Sequence, residues 1–132
     1  MKGRIMKRLA VILLAPLALT ASALVAQDRN IQFPQGSTTA TVKGHTNPLS
    51  SKSYKLTVRA NQRVAIHLTS TSRKKLVRFD VNRDKYKGKP LPGINGVIDW
   101  EGMLAKAGDY WISVYALPAA GEEDFTIEVT LK

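Results

Sequence analysis

Four stretches of this chain alternate apolar and polar side chains one for one. Tyr54, Leu56 and Val58 interleave with Lys55, Thr57 and Arg59, the period-two pattern of a half-buried β-strand. Val64, Ile66 and Leu68 then alternate with Ala65, His67 and Thr69, after a turn at Ala60-Asn61-Gln62. Asparagine suits that turn because it tolerates left-handed backbone. Tyr110, Ile112 and Val114 alternate with Trp111, Ser113 and Tyr115, and Phe125, Ile127, Val129 and Leu131 mark the inward face of a last strand. Shorter strands are expected at 31–33, 39–43, 76–82 and 97–104, with prolines and glycines between them. No segment after residue 26 sustains a helical period. The pattern predicts an all-β fold, an antiparallel β-sandwich of seven to eight short strands.

The first 26 residues do not follow this pattern. Lys2, Arg4, Lys7 and Arg8 precede an apolar run over 9–19, and small residues offer cleavage after Ala23 or Ala26. This is the layout of a secretory signal peptide. Pro16, Thr20 and Ser22 interrupt the run, short of the ~20 apolar residues of a spanning helix. The expected organisation is a cleaved signal over 1–26 and one domain over 27–132. The mature form would be periplasmic or secreted and would not span a membrane. The chain has no cysteine, which excludes a disulfide framework, a cysteine metal cluster, a thiol nucleophile and a lipidated N-terminal cysteine. An exported domain of this kind must be held by its apolar core.

Signal removal changes the meaning of the charge. The full chain has 20 basic and 10 acidic residues; losing the four early cations leaves 16 against 10, a net +6. One stretch, RKKLVRFDVNRDKYKGK over 73–89, has eight cations and two aspartates, also +6. Alternation places Val77, Phe79 and Val81 inside, so the stretch splits into two clusters about 20–25 Å apart along a strand. One is Arg73, Lys74 and Lys75; the other is Lys85, Lys87 and Lys89. Export argues against nucleic acid as the partner and leaves an anionic envelope polymer or an acidic protein surface.

Catalytic and metal chemistry find little support. Asp80-Val81-Asn82-Arg83-Asp84 has the spacing that opens a calcium loop, but Lys85 stands where that loop needs glycine and Leu91 where it needs glutamate. Local ion pairs of Asp80 and Asp84 with Arg78, Arg83 or Lys85 are expected instead. His45 and His67 have no nucleophile or ligand partner at a telling spacing. Asp99 and Glu101 project from one strand face, whereas glycosidases hold their carboxyls roughly 5–9.5 Å apart across a cleft. The expectation is a non-enzymatic protein with no cofactor and no metal. Trp111 and Tyr115 share the face opposite the core. They read either as an aromatic contact surface or as a cross-strand cluster beside Thr126 or Thr130.

Several motifs resemble a known family. The opening Gly36-Ser37-Thr38-Thr39-Ala40-Thr41-Val42-Lys43-Gly44, the 54–64 hairpin, Ala107-Gly108-Asp109-Tyr110-Trp111-Ile112-Ser113-Val114 and the terminal strand are similar to the pre-peptidase C-terminal-like β-sandwiches. The branch they resemble includes periplasmic inhibitors of g-type lysozyme. The resemblance implies a protein that blocks a lysozyme cleft without chemistry, through Gly108 and Tyr110 and through Ala120 and Glu122 of the 117–124 loop. Two departures accompany it. Ala107 replaces the serine of a Ser-Gly-x-Tyr motif, and the 117–124 loop is acidic where that branch bears arginine. The rival reading is an envelope polyanion- or glycan-binding module using Arg73, Lys74, Lys75, Lys85, Lys87 and Lys89, with Trp111 and Tyr115.

Overall fold

Alternation along single strands becomes two antiparallel sheets facing each other across one core. The computed structural model describes residues 30–83 and 89–132, so the expected signal segment and Lys85 and Lys87 lie outside the described residues. Within them run β1 (Thr39–Thr46), β2 (Lys52–Val58), β3 (Gln62–Ser70), β4 (Val77–Asn82), β5 (Asp99–Leu104), β6 (Gly108–Ala116) and β7 (Glu123–Leu131). The larger sheet has the order β1-β7-β3-β5, and the smaller β2-β6-β4. Among the described residues no helix is long and apolar enough to cross a membrane.

The inward positions are those that the alternation marks. Leu56, Val64, Phe79, Val81, Ile112, Val114, Ile127 and Val129 are fully buried between the sheets, and Leu131 packs partly against them. Apolar burial of this kind contributes ~25 cal/mol per Å², and no disulfide adds to it. Asn61 takes the left-handed conformation that its turn requires (φ 56°). That turn, however, carries the chain from the smaller sheet to the larger instead of closing the expected 54–64 hairpin, since β2 and β3 do not pair.

Two expected strands come out differently. At 31–33 there is only a bridge, Asn30 to Lys55, because the chain turns at Pro34 and Ser37 N–H closes on the Pro34 carbonyl at 2.8 Å. The segment expected at 97–104 divides its pairing. Val97 exchanges both backbone bonds with Phe79 at the edge of β4, at 2.9 and 3.1 Å, whereas the Ile98 carbonyl accepts from Leu68 of the other sheet. That crossing covers the free edge of β4, which would otherwise offer unpaired backbone groups.

Gly44 in β1 shows how closely the sheets fit. A Cβ there would lie 2.5 Å from Phe125 Cζ and 2.7 Å from Tyr54 Oη, two rings held edge to face at 6.2 Å. Gly44→Ala is expected to cost about 1–3 kcal/mol through overpacking, read as a lower midpoint in urea. Gly121→Ala, where a Cβ meets open space, should stay within about 0.5 kcal/mol of wild type.

Candidate functional site

β6 is the central strand of the smaller sheet, and its two ends define the two poles of the sandwich. At its first residue, Gly108 has φ +125°, a conformation that glycine adopts without a Cβ penalty. Two residues on, Tyr110 is only 3% exposed, and its hydroxyl donates to the Lys106 carbonyl at 2.7 Å, closing the turn from β5. The ring therefore belongs to the end of the core. What lies over it is Arg83, with its guanidinium carbon 4.7 Å from the ring centroid and Nη1 donating to the Tyr110 hydroxyl at 3.1 Å.

Register explains this pairing. Val77, Phe79 and Val81 face inward on β4, and Arg83 continues that parity one step beyond the strand. Asn82 pairs with Trp111, which sets Arg83 beside Tyr110. A cationic side chain thus takes the next inward position, at the mouth of the core, and a Cβ on Gly108 would stand 3.6 Å from its Nη2. The β2–β3 turn joins the same pole, where Asn61 N–H donates to the Ala105 carbonyl at 3.0 Å. An open pocket of about 370 Å³ lies here, lined by Arg83 and Lys106 and floored by Leu91, Ile94, Trp100 and Leu104. Arg59, Arg63 and Lys132 stand at strand ends of the same pole, Arg59 bonded to Gln62. The nearby carboxylates are engaged: Glu101 with Lys132 at 2.8 Å, and Asp109 with the Thr57 hydroxyl at 2.6 Å. The Lys132 ammonium holds the Glu101 carboxyl below its ordinary range.

The four residues singled out for the inhibitor reading do not meet. Gly108 and Tyr110 open β6, whereas Ala120 and Glu122 follow its end, about 27 Å away along the strand. At that second pole Ala120 closes a turn on Leu117 at 2.9 Å. Glu122 is bound to His45, whose Nε2 lies 2.6 Å from its Oε1 and whose Nδ1 lies 2.8 Å from Asp124 Oδ1. The hydrogen bond to Glu122, then that to Asp124, raises the pKa of His45 above 6.5. The same bond from His45 lowers that of Glu122 below 4.5.

The two shifts bracket a pH window. The raised His45 stabilises the fold fully below the unfolded value of 6.5 and loses that contribution as pH rises through its folded value. The lowered Glu122 stabilises above 4.5 and loses its contribution as pH falls through its folded value. His45→Gln is therefore expected to lower the melting temperature most between these limits and progressively less as pH rises above them. Paired melting curves across pH would check this, and a difference that grows towards alkaline pH would contradict it.

Of the two expected basic clusters, only Arg73, Lys74, Lys75 and Lys89 lie among the described residues. Arg73, Lys74 and Lys75 precede β4 at the second pole, and Lys89 returns to the first. Trp111 and Tyr115 are half-buried on the outer face of the smaller sheet, so the strand bearing Thr126 and Thr130 is not beside them. Tyr115 donates its hydroxyl to Asp80 at 3.0 Å; burial, then that carboxylate, pushes its pKa up to about 12. Asp80 also accepts Gly96 N–H at 2.7 Å, so among the described residues it bonds a phenol and a backbone amide and not Arg78 or Arg83; the third expected partner, Lys85, lies outside them. Asp84 lies outside the described residues. His67 pairs with Asp99 across β3 and β5. Sequence reasoning missed Arg83 as a site residue and the bridging role of His45. Each depends on strand pairing between distant segments, and only the parity of Arg83 after Val81 was locally visible.

Solved structures that share this fold include Aeromonas hydrophila PliG, a periplasmic lysozyme inhibitor of g-type lysozyme. It aligns with a TM-score of 0.68 at 22% identity, over 78% of this chain and 94% of its own. Salmonella Typhimurium PliG, described in the same words, aligns at 0.55 and 17%, over 78% and 96%. A mutant of the Escherichia coli PliG aligns at 0.55 and 15%, over the same shares. No protein-family model and no curated protein matches the chain.

Proposed function

We propose that this protein is an exported, non-enzymatic inhibitor of a lysozyme, with residues 1–26 removed as a signal and 27–132 acting as one periplasmic domain. The pole formed by Arg83, Lys106, Gly108 and Tyr110 is the surface that covers the enzyme's cleft. The observation that carries this reading is the Arg83 guanidinium stacked on Tyr110, with Lys106 lining the same pocket. Glycoside hydrolases present a pair of carboxyl groups in the cleft, and a guanidinium fork is the natural complement of a carboxylate. The likeness in fold to three inhibitors of g-type lysozyme supports the choice of partner.

This reading also answers the departure at 117–124. That acidic loop belongs to the opposite pole, and Arg83 brings a forked donor to the motif from a different strand. Tyr110 acts from beneath, by fixing Arg83 and the 105–107 turn. The test is the rate at which g-type lysozyme clears a cell-wall suspension, with and without the purified protein, beside i-type and c-type enzymes. Slowing of the g-type enzyme is expected; no slowing of any of the three would overturn the proposal.

A further inference from the structure

The second pole carries a constellation that the inhibitor reading does not use. The chain leaves β3 at Ser70 and crosses to β4 through 71–76. Local bonds hold that crossing: Leu76 N–H donates to Ser72 Oγ at 2.9 Å, and Arg78 Nε donates to the Lys75 carbonyl at 2.8 Å. Lys75 has φ 55°, a left-handed conformation uncommon outside glycine. Residues in sparsely populated conformations tend to gather at ligand sites, where the surrounding structure holds them. This turn presents Arg73, Lys74 and Lys75 in succession, all exposed. Among the described residues none of the three side chains has a hydrogen-bond or ion-pair partner. Among the described residues no acid of this pole is paired with them. Glu122 and Asp124 are bound to His45, and Glu123 accepts the Thr71 hydroxyl at 2.9 Å.

Arg73 and Lys75 line a cavity of about 260 Å³ together with Thr69, Ser70, Ser72 and His67, over an apolar floor that includes Leu68 and Val77. Its one carboxylate, Asp99, is engaged by His67 Nδ1, which leaves Nε2 as the second ring nitrogen for a ligand. We propose that this cavity binds a phosphate monoester carried on a sugar-sized group. A guanidinium and an ammonium match a phosphate of charge about −1.5 to −2, and hydroxyl groups supply further donors to its oxygens. The floor accepts the C–H face of a sugar ring. The volume falls below the ~300–1,000 Å³ typical of drug-sized pockets, which limits the occupant to about one sugar phosphate unit.

The test is a titration of amide chemical shifts in the purified protein with glucose 1-phosphate, inorganic phosphate and glucose. Saturable shifts over 67–77 and 98–99 are expected, strongest with glucose 1-phosphate, weaker with phosphate and absent with glucose. Arg73→Gln and Lys75→Asn should each weaken binding about tenfold, the loss of one charge-assisted bond. Asparagine tolerates the left-handed backbone at position 75, so the turn survives the change. Lys89→Gln, at the other pole, should leave binding unchanged, and Arg73→Gln should leave lysozyme inhibition unchanged. Shifts scattered over every cationic surface, equal weakening by Lys89→Gln, or equal binding of glucose would overturn the proposal. Retention of a phosphorylated wall glycan, released by glucose 1-phosphate, would assign the ligand to the envelope. Sugar-phosphate binding without such retention would assign it to a free metabolite; both support the site.

Discussion

Phe79→Ala is expected to remove about 3–5 kcal/mol of stability, the usual cost of emptying a fully buried aromatic site. Phe79 is 0% exposed, sits at the middle of β4 and exchanges backbone bonds with Val97. A domain of this size has only ~5–15 kcal/mol in total, so the variant keeps a fraction of its margin. Its melting temperature should fall by roughly 15–30 °C. The loss would be felt at both poles, because β4 leads from the Arg73–Lys75 turn to Arg83. Urea titration gives the number, and an unchanged slope would show that only stability moved. A loss below about 1 kcal/mol would mean that the sheets close over the gap, outside the range for such truncations.

Arg83→Ala is expected to weaken lysozyme inhibition by about thirtyfold or more, since truncating a buried interface arginine commonly costs ~2 kcal/mol or above. Arg83→Lys keeps the charge but loses the forked donor and the stacking on Tyr110, so it should recover only part of the loss. Tyr110→Phe tests the support beneath. It removes the hydroxyl that bonds both Arg83 and the Lys106 carbonyl, and it should raise the inhibition constant less than Arg83→Ala does. Equal inhibition by wild type and Arg83→Ala, with the fold intact by circular dichroism, would remove Arg83 from the interface.

The core was legible because inside and outside alternate residue by residue along a strand, and Val77, Phe79 and Val81 obey that rule without knowing their neighbours. The poles were less legible because each is assembled from chain ends that meet only through pairing. His45 and Glu122 are 77 residues apart, and β1 and β7 must pair before they touch. Gly108 and Glu122 are close in sequence, but an extended strand carries the chain directly away from its start. Tyr115 was correctly placed on the outer face, yet its hydroxyl meets Asp80 only because β6 pairs with β4. Asp80, in a run of arginines and lysines, suggested ion pairs; register gave it a tyrosine and an amide instead.

β6 runs unbroken for nine residues between the two poles, which makes it a strut. Occupants at its ends would stand about 27 Å apart, well beyond the ~10 Å Debye length at 0.1 M salt. Direct charge coupling between them is therefore screened out, and among the described residues no side chain lines both sites. The coupling free energy should be close to zero, so that each end binds as if the other were empty. With both proposed sites filled, the molecule would connect two ligands without letting either regulate the other.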